Sequence, residues 1–453
     1  MRIDYKQLSK MEFLPGLEAL DLGSKANVIQ SLLEENFFHD SGLFYSLLLI
    51  SGPREIRSTS RADLEGASVI EGVYKDGGAS DEAAREEGMT FENSIYSAGL
   101  YLQSQVARYA VTKEPAAMKE ALRALNALRM IYDYARERGH EGWLGKPYGQ
   151  IPKDHSSPDQ YHAAIIGLYQ FHEIARPAER LQIVAMLRGI ADFMTKRNYQ
   201  IWDVSKPTDA LPWNIGFAYC NTTYVLAQAM VFRLTGEMRY RDEALRLADL
   251  ARWREWSHLD EWAADGLTRV LEFERVAIGS FVLHAVEMLA EILPELFGAT
   301  HSAVREGLAR ALEKWWAFTE LGIDNNGYQH YWIDIDVTNR TWKPTGIREC
   351  PRPSMPGTFW NYYSDVRWSD QLYRRVTAAF PVIAHLPNKR ESALAWMRDM
   401  MERTNGERMR WVIDLDGHQL KPDVKWMGCM LSSEAPFHYL ITYWRGRALG
   451  YWA

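Results

Sequence analysis

The sequence predicts an all-α fold, an (α/α)6 barrel of helical hairpins with one small β-hairpin insertion. Three observations carry this. From Phe91 onward, low-charge helices with small residues alternate with charged amphipathic helices. Short Pro or Gly breaks separate the members of each pair, as at Thr112-Lys113-Glu114-Pro115, Arg176-Pro177, Thr235-Gly236 and Leu386-Pro387-Asn388. The low-charge helices recur six times, near residues 91, 158, 214, 274, 365 and 433. A repeated hairpin buries its face against its neighbours, so six closing into a ring bury the inner helices on all sides and leave the outer ones amphipathic.

Residues 1–24 read as irregular, 25–37 as a short amphipathic helix, and 43–50 as a strand ended by the turn Ser51-Gly52-Pro53. Residues 74–90 are rich in Gly and charge and read as a surface loop. The first hairpin spans 91–111 and 115–138. Ile95, Gly99, Leu102 and Val106 keep helical spacing in its first member, and Ser97, Ala98 and Ala107 permit close approach. In the second, Ala121, Leu125, Leu128, Tyr132 and Ala135 form one stripe. The following hairpins are 158–175 with 177–198, 214–234 with 237–256, 274–293 with 302–320, and 365–385 with 389–404. A last low-charge helix, 433–449, takes 25–37 as its partner. In the insertion 321–362, residues 331–337 alternate like a strand and 340–342 form its return. With no linker in the chain, one domain over 1–453 is expected, residues 1–90 being a partly irregular cover. An open α-solenoid is the alternative architecture.

The 453 residues carry a formal charge of -7 and no basic block, which argues against a nucleic-acid partner and a polybasic membrane face. No apolar run approaches the ~18 residues of a membrane span, and the N-terminus has no apolar leader segment. The expectation is a soluble cytoplasmic protein, or a periplasmic one if a leader has been removed. Cys220, Cys350 and Cys429 lie far apart, which suits buried thiols in a reducing compartment. Aromatic residues make up 12% of the chain, and many, such as Trp143, Trp202 and Trp213, fall in connecting segments. Such rings stack on sugars when polar groups lie beside them. They also pack long loops.

In a barrel of hairpins the loops entering the inner helices open on one rim. Here those loops are the long ones, so function should gather at the inner-helix N-termini. The most informative is the segment from Lys153 to His162. Ser157 is placed to cap a helix with its hydroxyl, Pro158 sits at the first helical position without losing a hydrogen bond, and Asp159 suits the positive end of the dipole. The low-charge run behind it predicts a buried helix. Candidate site residues are Glu92 and Asn93; His155, Asp159, Tyr161 and His162; Trp213; Arg348; Asp365 and Arg367; and Glu434. Glu92, Asp159, Asp365 and Glu434 supply the paired carboxylates that glycoside cleavage needs, one to donate a proton and one to activate water or hold a cation-like transition state. Acidic residues also occupy helix N-termini for dipole reasons alone. His155 and His162 lack metal-ligand spacing, and the chain has no G-x-G-x-x-G, P-loop, H-E-x-x-H or G-x-S-x-G motif, so neither metal nor cofactor is expected.

Two short stretches carry a family likeness. Asp159-Gln160-Tyr161-His162-Ala163 is similar to the Asp-x-Tyr-x-Gly that opens an inner helix in the unsaturated glucuronyl and rhamnogalacturonyl hydrolases, with Ala163 in place of Gly. Phe91-Glu92-Asn93-Ser94 falls where that family has a second acidic residue, with Glu in place of Asp. Through these stretches and the hairpin rhythm the chain resembles the six-hairpin glycosidase superfamily. The resemblance implies that Asp159 is the general acid/base, protonating a C4–C5 double bond so that water adds at C5, with Glu92 as its partner. The substrate is then an oligosaccharide containing a uronic acid. Tyr161, His162, Trp213 and Arg367 would shape the sugar site, and Arg348 would pair the substrate carboxylate through its planar fork. A lyase using Asn93, His155, Tyr161 and Arg275 is the alternative on the same scaffold. A sugar epimerase or isomerase and a non-catalytic carbohydrate-binding or scaffold protein remain as further readings.

Overall fold

The computed structural model describes residues 8, 10–58, 90–148, 151–206, 218–250, 276–297, 312–313, 316, 332–336, 341–345, 359–361, 367–413 and 429–452. In chain order its main helices are α1 (Leu22–Asn36), α2 (Ser94–Thr112), α3 (Pro115–Glu137), α4 (Pro158–Ile174), α5 (Pro177–Lys196), α6 (Ala218–Thr235), α7 (Met238–Leu250), α8 (Val276–Ile292), α9 (Ser369–His385), α10 (Arg390–Glu402) and α11 (Glu434–Ala448). The predicted alternation is therefore present, and most boundaries fall within a few residues of their expected places. The sharpest are at Pro115, Pro158 and Pro177, where the first helical position has no N–H partner to lose. Residues 74–89 and most of the expected helix 302–320 lie outside the described residues.

The described residues form two compact units. The first comprises residues 1–212, 368–373 and 401–453. It contains α1 to α5 and α11, with α2 packed between α4 and α11, and α1 against α11. The α3 stripe of Ala121, Leu125, Leu128, Tyr132 and Ala135 is buried throughout, as expected. Each fully buried leucine there contributes roughly 1.5–3 kcal/mol by leaving water. α2 and α4 are buried on most of their faces, and they cross closely. A Cβ built on Gly99 would lie 2.4 Å from the backbone carbon and oxygen of Ala163, and one on Gly167 would lie 2.6 Å from the Gly99 oxygen. Gly99 makes the approach possible, a role the sequence reading gave to Ser97, Ala98 and Ala107. α1 begins at Asp21, whose carboxylate accepts the Ser24 N–H at 2.9 Å. The expected early strand is β1 (Leu47–Gly52), paired antiparallel with β2 (Glu55–Arg57). It also pairs with residues Met430–Ser432, which lead directly into α11.

The second unit comprises residues 213–367 and 374–400. In it α6 packs against α7 and α8. The expected hairpin is present as β3 (Trp332–Asp336) and β4 (Thr341–Thr345), in the register Trp332↔Thr345 to Asp336↔Thr341. A third strand, β5 (Phe359–Asn361), pairs with the other edge of β3. Among the described residues, Cys220 and Cys429 are buried and form no disulfide, and no helix is long and apolar enough to cross a membrane.

Candidate functional site

The N-termini of α2 and α4 come together in the first unit, and a single side chain ties them. Gln160 is fully buried. Its Oε1 accepts the Tyr96 N–H at 3.1 Å. Tyr96 is the third residue of α2, and its N–H is one of the orphan donors of a helix start. Asn93, at the N-cap of α2, makes no capping bond with its own side chain, so Gln160 supplies the cap from the neighbouring helix. The Gln160 Nε2 donates to Asn93 Oδ1 at 2.9 Å and to Asp159 Oδ2 at 2.8 Å. These partners fix the orientation of the amide, because a flipped amide would set oxygen against the Asp159 carboxylate and NH₂ against a backbone N–H.

Glu92 precedes Asn93 and forms an ion pair with Lys146, Nζ to Oε1 at 3.0 Å. Lys146 is buried and comes from the long loop before α4. That loop folds into a small ladder in which Lys146 N–H donates to the His155 carbonyl at 2.8 Å, and Lys153 N–H donates to the Lys146 carbonyl at 3.0 Å. On its other side residues 154–156 run antiparallel to 202–204, through Ser156 N–H to the Trp202 carbonyl and Val204 N–H to the Asp154 carbonyl, both 2.9 Å. His155 is therefore held between two chain segments. Burial lowers its basicity, the Lys146 charge lowers it further, and Asp203, Glu92 and Asp159 pull the other way. His155 thus senses both candidate carboxylates.

The structure brings Glu92, Asn93, His155 and Asp159 to one end of the α2–α4 pair. Glu434 opens α11 and is buried, and the Ser433 hydroxyl beside it meets the Ser97 hydroxyl of α2 at 2.7 Å. One turn on, the Tyr96 hydroxyl meets His438 Nε2 at 3.2 Å.

One expectation needs correction. Ser157 stands at the N-cap of α4, yet its hydroxyl makes no capping bond. Tyr161 is fully buried and its hydroxyl accepts the Leu144 N–H at 3.0 Å, which braces the loop and removes the ring from any open surface. His162 is also buried, 2% exposed. Both lie in the run from Gln160 to Leu168, which is buried throughout, whereas Asp159 just before it is half-buried. Trp213, Arg275, Arg348 and Asp365 lie outside the described residues, as does the side chain of Arg367. Sequence reading missed Gln160 and Lys146. Their signals were position alone: Gln160 follows the candidate aspartate, and Lys146 sits in the loop expected to build the site. Among the described residues no group of three or more potential metal ligands occurs.

No protein-family model and no curated protein sequence matches the chain. Solved structures do. One is cellobiose 2-epimerase from Bacillus thermoamylovorans, at 9% identity and a TM-score of 0.53, covering 93% of this chain and 98% of that one. Another is a D-mannose isomerase, at 11% identity and a TM-score of 0.51, covering 95% and 97%. A third is a GH76 α-mannanase from Bacteroides thetaiotaomicron, at 12% identity and a TM-score of 0.51, covering 96% and 99%. At such identities the likeness shows the fold alone, and the chain has an all-α (α/α)6 barrel fold.

Proposed function

We propose that the protein is a carbohydrate-active hydrolase acting on an oligosaccharide that contains a uronic acid, with Asp159 as general acid/base and Glu92 as the second carboxylate. The observation that carries the reading is the Gln160 amide, whose one nitrogen holds Asp159 Oδ2 and Asn93 Oδ1 together. It sets the Asp159 carboxylate beside the residue that follows Glu92. Half-buried Asp159 passes a proton to the leaving oxygen or to the double bond of the terminal uronate. Glu92, paired with the Lys146 cation, activates water or steadies the cation-like transition state. The similar solved structures are described as enzymes of sugars, which supports a carbohydrate substrate.

A second reading, a sugar epimerase or isomerase, is favoured by His155. Its lowered basicity keeps it neutral near neutral pH, the form that abstracts a proton next to a carbonyl. The lyase alternative is weakened by Tyr161, because burial pushes its hydroxyl far above the ordinary tyrosine range and the hydroxyl is already engaged.

The test is incubation with saturated and unsaturated uronate-ended oligosaccharides and with neutral disaccharides, following conjugated-uronate absorbance, reducing sugar and product identity together. Loss of absorbance with release of reducing sugar supports the proposal. A rise in absorbance replaces it with β-elimination. Isomerised sugar without bond cleavage replaces it with the epimerase or isomerase reading.

A further inference from the structure

We infer that Gln160 is a positioning residue that sets the protonation equilibrium of Asp159 as well as its place. This rests on the proposed role of Asp159. Three hydrogen bonds leave the Gln160 amide one orientation: Oε1 on the Tyr96 N–H, and Nε2 on Asn93 Oδ1 and Asp159 Oδ2. The amide is fully buried, so water does not replace these contacts. A donor fixed on a carboxylate oxygen favours the ionised form. Gln160 therefore opposes protonation of Asp159, and its hold on the α2 N-terminus keeps the donor aimed. The residue couples two functions: it caps α2 across the helix pair, and it tunes the proton affinity of the neighbouring acid. A capping role alone would need only the Oε1 contact.

Gln160→Glu separates the two. It keeps an acceptor for the Tyr96 N–H and nearly the same shape, but it replaces the donor at Asp159 with a carboxyl. Gln160→Met removes donor and acceptor without adding charge. With the substrate that the oligosaccharide panel identifies, kcat/KM is measured against pH for the wild type and both variants, with folding followed by circular dichroism. Both variants should move the limb set by Asp159 to higher pH by about 1 unit, Gln160→Glu more than Gln160→Met, because each removes the bond that favours the carboxylate. Unshifted profiles in folded variants, or activity falling only with the folded fraction, would overturn the inference and leave a cap. Asp159→Asn is run alongside. If it keeps wild-type activity, the proposed function fails. If it is inactive while the Gln160 profiles stay in place, only the present inference fails.

Discussion

Substituting Gly99 by alanine tests the crossing on which the site depends. The added Cβ would stand 2.4 Å from the Ala163 carbonyl carbon and oxygen and displace backbone, which cannot rotate away. Overpacking of this kind costs about 1–3 kcal/mol. Alanine in a helix interior recovers about 1 kcal/mol relative to glycine. With a backbone neighbour the upper end of the overpacking range applies, leaving a net loss of about 2 kcal/mol, roughly a 30-fold fall in the folding equilibrium. Urea unfolding followed by tryptophan fluorescence reads this as a lower midpoint with an unchanged slope. Because the clash is with backbone, Ala163→Gly should not rescue it. Because Gly167 serves the same crossing, Gly167→Ala should combine non-additively with Gly99→Ala. A Gly99→Ala midpoint equal to or above that of the wild type would refute the close approach of α2 and α4.

Two other perturbations follow from buried polar contacts. Tyr101 accepts from Gln30 Nε2 at 2.7 Å and donates to Glu120 Oε2 at 3.0 Å, joining α1, α2 and α3. Tyr101→Phe should cost about 1–3 kcal/mol, read as a lower urea midpoint, and an unchanged midpoint would mean the network is dispensable. His155 has a folded-state pKa below its ordinary 6.5. As pH falls through 6.5 the unfolded chain takes up a proton that the folded one resists, so stability drops. His155→Gln should shrink the difference in urea midpoint between one pH unit above and one below 6.5. His172, similarly depressed by burial, keeps part of it. An undiminished difference would show that His155 does not contribute.

Much of the fold was legible because its signals are local. Proline at the first helical position marks α3, α4 and α5, and the contrast between low-charge and amphipathic helices separates the two members of each hairpin. What the sequence could not show depends on pairing at a distance. Leu47 to Leu49 pair with Met430 to Ser432, far along the chain, and β5 joins the edge of β3 across a long connection. The site was half legible for the same reason. Glu92, Asn93, His155 and Asp159 were singled out by their place around helix starts, and they lie at one end of the α2–α4 pair. The burial of Tyr161 and His162 was not legible, because one residue of rotation on a helix enclosed by chain decides whether a side chain faces the mouth or the core. Gln160 carries no charge and reads as unremarkable until its three partners, two of them at the start of α2, are known.

The central claim is that Asp159 moves the proton in a reaction on a sugar. Its most direct test is kcat/KM of Asp159→Asn against the wild type on the turned-over oligosaccharide, both proteins being shown folded. The substitution keeps the shape and an acceptor oxygen, so the Gln160 contact survives while the transferable proton is lost. The account predicts a fall of about 10²–10⁴-fold. Activity within several-fold of the wild type would contradict it and move the chemistry away from the N-terminus of α4.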